Sequence, residues 1–116
     1  MWRLRSEQWA ALIEDRLWVL ARRTVPFLRA EAPEVVSEAD DEEVLDFALR
    51  CARKAVSLGF EDPYCLQQLV LFCAWFGEGL WEAPFAKKIL EKKGLAEQSK
   101  VARIEDYLLD EWEGSR

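Results

Sequence analysis

The chain has 116 residues, 51% hydrophobic and 33% charged, which is enough apolar material for one packed domain and too much for a disordered segment. A formal net charge of −6 and an isoelectric point near 4.8 disfavour nucleic acid and anionic membrane surfaces as partners. The absence of histidine excludes Ser–His and Cys–His nucleophile pairs and every His-containing zinc site.

No run alternates polar with β-branched residues, and the five glycines and four prolines fall between stretches of helical periodicity. The pattern predicts an all-α fold: residues 1–116 form a single-domain bundle of five or six helices around a central buried helix at about 62–77. The N-terminus lacks an uninterrupted apolar core and a small-residue cleavage site, which argues against a signal peptide. Cys51, Cys65 and Cys73 are an odd number on segments that read as buried. They are expected to be inert thiols in a reducing cytoplasm.

In chain order, Ser6 is a suitable N-cap for a first helix running to about Arg23, with Trp9, Leu12, Ile13, Leu17 and Leu20 on its buried stripe. Trp18 lies off that stripe and faces either a second neighbour or solvent. Thr24 and Pro26 interrupt the pattern, and Phe27, Leu28 and Ala30 suit a short helical turn. Residues 31–41 read as a loop with Pro33, a Val35–Val36 anchor and an acidic run. Asp40 and Glu43 have capping-box spacing, so the acids at Asp40, Asp41 and Glu42 serve first the start of a helix and second a binding surface.

That third helix runs to about Leu58, with Val44, Phe47, Ala48, Cys51, Ala52, Ala55 and Leu58 on one face. Its small residues allow close approach of another helix. Gly59 ends it, Phe60 packs back on the last turn, and Asp62 with Pro63 opens the next helix as N-cap and first helical residue. Between Pro63 and Phe76 only Gln67 and Gln68 are strongly polar, so this helix is expected to be buried on nearly every side. At roughly 21 Å it is too short to cross a bilayer. Gly77 closes it.

Glu78 to Glu82 then form a connection. Pro84 opens a helix with Phe85, Ile89 and Leu90 inward and Lys87, Lys88, Lys92 and Lys93 outward, ended by Gly94. A last helix covers about Glu97 to Glu113, with Val101, Ile104, Leu108 and Trp112 on its stripe.

Charge alternates in blocks: +3 over residues 1–29, −8 over 30–49, +4 over 87–104 and −4 over 105–116. Complementation within the fold is the first explanation and a charged partner the second. The cysteine spacings of fourteen and eight residues do not form a metal site, and Gly77-Glu78-Gly79 lacks the further glycine and preceding strand of a dinucleotide fingerprint. No cofactor and no metal are therefore expected. Glu14 with Asp15, Glu78 with Glu82, and Glu105 with Asp106 are the acid pairs that could do proton chemistry, but their polar settings read first as solvated surface. A non-enzyme is the better reading.

Six tryptophans are many for this length, and tryptophan concentrates at protein–protein hot spots. Trp9, Trp75 and Trp112 fall on core stripes; Trp2, Trp18 and Trp81 do not. Trp81, between two glutamates, is the first candidate for an exposed anchor, the alternative being a tryptophan folded over the end of the core. The candidate partner-binding residues are thus Trp81, Glu78, Glu82, Trp18, Asp40, Asp41 and Glu42.

From residue 28 to about 108 the chain resembles small helical accessory proteins encoded beside effector genes of bacterial type VI secretion. The features that carry the resemblance are Leu28-Arg29, the helix ending in Gly59-Phe60, the cap Glu61-Asp62, the close Trp75-Phe76-Gly77, and Phe85-Ala86-Lys87-Lys88-Ile89-Leu90. It implies a cytoplasmic protein that binds another component of a secretion or toxin cluster: a secretion effector, its chaperone or a toxin. An adaptor or co-chaperone that loads an effector is the first reading. An immunity protein that neutralises a co-encoded toxin is the second, and a small carboxylate-dependent enzyme a remote third. Self-association is left open.

Overall fold

Side-chain caps and glycines set the ends of the helices. The computed structural model describes residues 6–114, with side chains over residues 11–110. It contains α1 (Ser6–Glu31), α2 (Pro33–Val36), α3 (Asp41–Ser57), α4 (Pro63–Phe76), a 3₁₀ turn over Glu78–Glu82, α5 (Pro84–Leu90) and α6 (Glu97–Gly114). The fold is all-α, with no strand among the described residues. No helix among them is long and apolar enough to cross a membrane.

Two of the expected caps are formed; the side chain of Ser6, the third, lies outside those described. Asp40 Oδ1 accepts from the Glu43 N–H at 2.8 Å to start α3, and Asp62 Oδ1 accepts from the Tyr64 N–H at 2.8 Å to start α4. At the end of α3, Gly59 takes a φ of +98°. The Phe60 N–H reaches back to the Ala55 carbonyl at 3.2 Å and the Gly59 N–H to Val56 at 2.9 Å, a Schellman closure that folds Phe60 into the core. Gly77 also has a positive φ of +104°, but its ψ of 164° is extended. The chain therefore leaves α4 through a region that glycine alone occupies readily, rather than through the left-handed helical conformation expected from the sequence.

Three boundaries differ from the sequence reading. α1 does not break near Arg23 but continues through Pro26 to Glu31. Proline removes one backbone donor there, and the buried Thr24 hydroxyl turns inward to donate to the Leu20 carbonyl at 2.7 Å. The stretch read as a loop over 31–41 holds the one-turn helix α2, which buries Val36 and leaves Val35 exposed. α5 stops at Leu90, so Gly94, Lys92 and Lys93 lie beyond it. Leu12, expected on the buried stripe of α1, is exposed, while Leu17 is buried and Ile13 and Leu20 are partly so.

α4 is central: it packs against α1, α2, α3, α6 and the 3₁₀ turn. Ala48, Cys51, Ala52 and Ala55 of α3 are fully covered, and this small-residue face lets α3 lie against both α1 and α4. The buried residues form one continuous cluster from Leu17 to Ile104. The molecule measures 57 × 37 × 19 Å, the thickness of about two helix layers. Its radius of gyration of 15.1 Å exceeds the roughly 13 Å of an isometric chain of this length. The central helix is thus covered along most of its length, with its final turn left at an edge.

Candidate functional site

That final turn places two adjacent aromatic residues at the surface, while Tyr64 is exposed in the first turn. Residues Cys65, Leu66 and Leu69 to Ala74 are buried, whereas Trp75 is 43% and Phe76 48% exposed. Trp75, expected in the core, is therefore corrected to a partly exposed position, where its ring leans on Phe72 at a 6.1 Å centroid distance. An all-apolar run predicts burial on every side only as far as its neighbours extend along it.

Trp75 and Phe76 line an open groove of about 630 Å³ together with Glu31, Glu34, Val35, Leu108 and Leu109. The residues come from four elements: the end of α1, α2, the end of α4 and the middle of α6. Val35 and Leu109 are also large exposed hydrophobics, so the apolar lining is a converged patch rather than scattered side chains. Behind it the Phe76 ring meets Phe85 edge-on at 5.8 Å, and Phe85 stacks on Tyr107 at 3.8 Å with 11° between planes. These rings fix the floor of the groove across α4, α5 and α6.

Arg29 holds the other wall. Its guanidinium donates to the Val36 carbonyl, to the Ala39 carbonyl at 2.7 Å and to Asp41 Oδ1 at 2.8 Å. One forked cation thereby gathers the chain from α2 to the start of α3 and sets the elbow that carries Glu34 and Val35.

The residues selected from sequence do not assemble into a site. Trp81, the first candidate for an exposed anchor, is only 8% exposed. The 3₁₀ turn carries it and Leu80 inward, over the core. Glu78 pairs with Arg50 at 3.2 Å, an interaction that raises the guanidinium pKa chiefly through its hydrogen bond, and Glu82 lies 3.8 Å from Lys87. Asp40 caps α3 and Asp41 pairs with Arg29, so the start of the acidic run is used within the fold; Glu42 is exposed beside them. Trp18 is exposed at 36% on α1, with the Arg22 guanidinium 5.9 Å from its ring centroid, beside a hollow of about 340 Å³ formed with Asp15 and Val19. Trp2 lies outside the described residues, and the side chains of Trp9 and Trp112 lie outside those described.

Glu14, a candidate acid, accepts from Arg53 Nε at 2.9 Å and raises that guanidinium's pKa through the hydrogen bond. Cys51, Cys65 and Cys73 are all free and buried. Burial first, then the charges of Asp62 and Glu97, push the Cys65 thiol up to about 11. Cys73 is pushed up further, first by its hydrogen bond with Cys51 and then by burial. Cys65 and Cys73 are thus held as neutral thiols, poor nucleophiles and poor metal ligands in this state. Among the described residues, no three Cys, Asp or Glu side chains gather in a way that could hold a metal ion.

No known protein family matches the chain, and no curated protein or solved structure matches it. The groove must be read from its own chemistry. A concave surface lined by Trp, Phe, Leu and Val, rigid at its floor and acidic at one edge, is suited to capture apolar side chains.

Proposed function

We propose that this protein is a non-catalytic binding accessory that captures another protein in the groove between the α1–α2 elbow, the end of α4 and α6. The observation that carries this reading is the convergence of Val35, Trp75, Phe76 and Leu109, all large and exposed, in one concavity of about 630 Å³. Exposed apolar surface of this kind is unfavourable in water, and partner binding is its commonest use. The two lining carboxylates, Glu31 and Glu34, stand exposed at the edge of an apolar surface. That setting suits charge pairing better than proton transfer.

The resemblance of residues 28–108 to type VI secretion accessories supplies the biological setting: a cytoplasmic adaptor or co-chaperone that holds a secretion effector before loading. The groove's lining is mainly apolar, which suits holding an effector's apolar side chains; neutralising a co-encoded toxin is the second reading.

Co-expression with the products of adjacent genes tests the reading. One of them is expected to co-purify with the wild-type protein and to be lost with Trp75→Ala, while the variant keeps its helical circular dichroism. If every neighbouring product passes through unretained, the reading fails. If the complex survives both Trp75→Ala and Leu109→Asp, the groove is not the site.

A further inference from the structure

Resting on the protein-binding reading, we infer that the occupant of the groove is a single amphipathic helix of the partner, with lysine or arginine flanking its apolar ridge. The groove runs between helical walls, with α2 and the end of α1 on one side and α6 on the other, and aromatic side chains of α4 form its floor. A helix lays residues at i, i+3, i+4 and i+7 into such a channel, whereas strand addition needs a sheet edge, and no strand exists among the described residues.

The charge of the flanking residues follows from the edge. Both charged side chains lining the groove are acidic, and neither Glu31 nor Glu34 has an ion pair among the described residues. Away from the groove, Glu14, Asp41, Asp46, Glu78 and Glu82 each face an arginine or lysine of the same chain, while Glu38, Glu42 and Glu43 are exposed without an ion pair among the described residues. Acids along one edge of an apolar channel repel an acidic or phosphorylated helix and attract a basic one. The same charge opposes an anionic lipid surface.

The probe is a synthetic Leu-rich amphipathic peptide of about 15 residues, long enough to form helix on binding. It is made with Lys flanks and, separately, with Glu flanks, and each is titrated into the full-length protein by fluorescence anisotropy of a labelled peptide. The Lys-flanked peptide is expected to bind about tenfold or more tightly than its Glu-flanked counterpart, with affinity falling as salt rises. The double variant Glu31→Lys/Glu34→Lys is expected to reduce or invert that preference. Should it fold poorly, Glu31→Gln/Glu34→Gln is expected to narrow the preference without inverting it.

Equal binding of the two peptides, or a preference unchanged in the folded charge variants, overturns the basic-helix assignment. So does absence of binding by either peptide. Concentration-dependent dimerisation that Trp75→Ala abolishes overturns it in favour of a second copy of this chain. In each case retention of a neighbouring gene product by the wild-type protein and its loss with Trp75→Ala would leave the protein-binding reading standing, so the two failures are distinguishable.

Discussion

The Glu97 carboxylate, in the first turn of α6, accepts a hydrogen bond from the backbone N–H of Asp62 at 3.1 Å and a second from Glu61 at 2.7 Å. Asp62 in turn accepts from Gln98 Nε2 at 2.9 Å while capping α4. The starts of two helices far apart in sequence are thus tied by reciprocal acceptors, and each satisfies amides that have no intrahelical partner. Because α4 carries the floor of the groove and α6 one wall, this tie fixes their relative position.

Glu97→Ala is therefore expected to lower stability by about 1 to 2 kcal/mol, since it leaves two amides without a charged acceptor. Glu97→Gln keeps an acceptor oxygen and is expected to lose less. Urea unfolding with an unchanged m-value would attribute the loss to the folded state. Equal stability of wild type and Glu97→Ala would mean that water replaces the carboxylate without cost.

The Arg29 fork predicts a distinct behaviour. Lysine keeps the charge but cannot reach two carbonyls and a carboxylate together, so Arg29→Lys is expected to cost about 1 to 2 kcal/mol. Asp41→Asn, which removes only an exposed ion pair, is expected to cost under about 1 kcal/mol. Hydrogen exchange should quicken at residues 33–41 in Arg29→Lys before it does so in α4. Exchange that rises uniformly through the chain would show that the elbow has no independent stability.

The sequence is most informative where local chemistry decides the outcome. Asp40 and Asp62 as caps, Gly59 with Phe60 as a closure, and Pro63 and Pro84 as first helical residues all depend on side chains within a few positions of one another. The groove depends on relations that no local pattern contains. Nothing in the periodicity of α4 marks where its neighbours stop covering it, so Trp75 reads as core. Nothing in the Glu-Gly-Leu-Trp-Glu connection marks that a 3₁₀ turn will direct Trp81 inward. Val35 reads as part of an anchor with Val36, and Leu109 falls outside the stripe assigned to the last helix, until four elements bring them together. A signal was nevertheless present: Trp75-Phe76 at the end of an apolar helix, followed directly by a glycine that turns the chain away.

The buried Cys65 thiol gives a pH prediction. Its pKa is raised from an ordinary 9.0 to about 11, so the folded state favours the neutral form. The stabilisation this represents is complete below the unfolded value, is lost progressively as pH rises through 9 toward 11, and is spent above that. Urea midpoints should fall over that window, and should fall less steeply in Cys65→Ala than in the wild type. Parallel pH profiles in the two proteins would assign the decline to other groups, the raised Cys73 thiol among them. Under native conditions at neutral pH, labelling of all three cysteines by a thiol reagent is expected to follow unfolding rather than surface exposure.

Trp81 and Trp75 lie six positions apart, and the structure assigns them opposite roles. Trp81 is packed over the core, so Trp81→Ala leaves a cavity that the surrounding helices cannot fill and is expected to cost about 3 to 5 kcal/mol. Trp75 retains 43% of its surface in solvent and leans on Phe72, so Trp75→Ala is expected to cost about 1 kcal/mol. For binding the order reverses. Trp75→Ala should weaken partner affinity by about 2 kcal/mol or more, whereas Trp81→Ala, measured at a temperature where the variant is folded, should leave it nearly unchanged. Chemical denaturation and a binding titration on the same two variants separate the effects. A stability loss larger for Trp75→Ala than for Trp81→Ala would place Trp75 in the core and remove the aromatic floor from the groove.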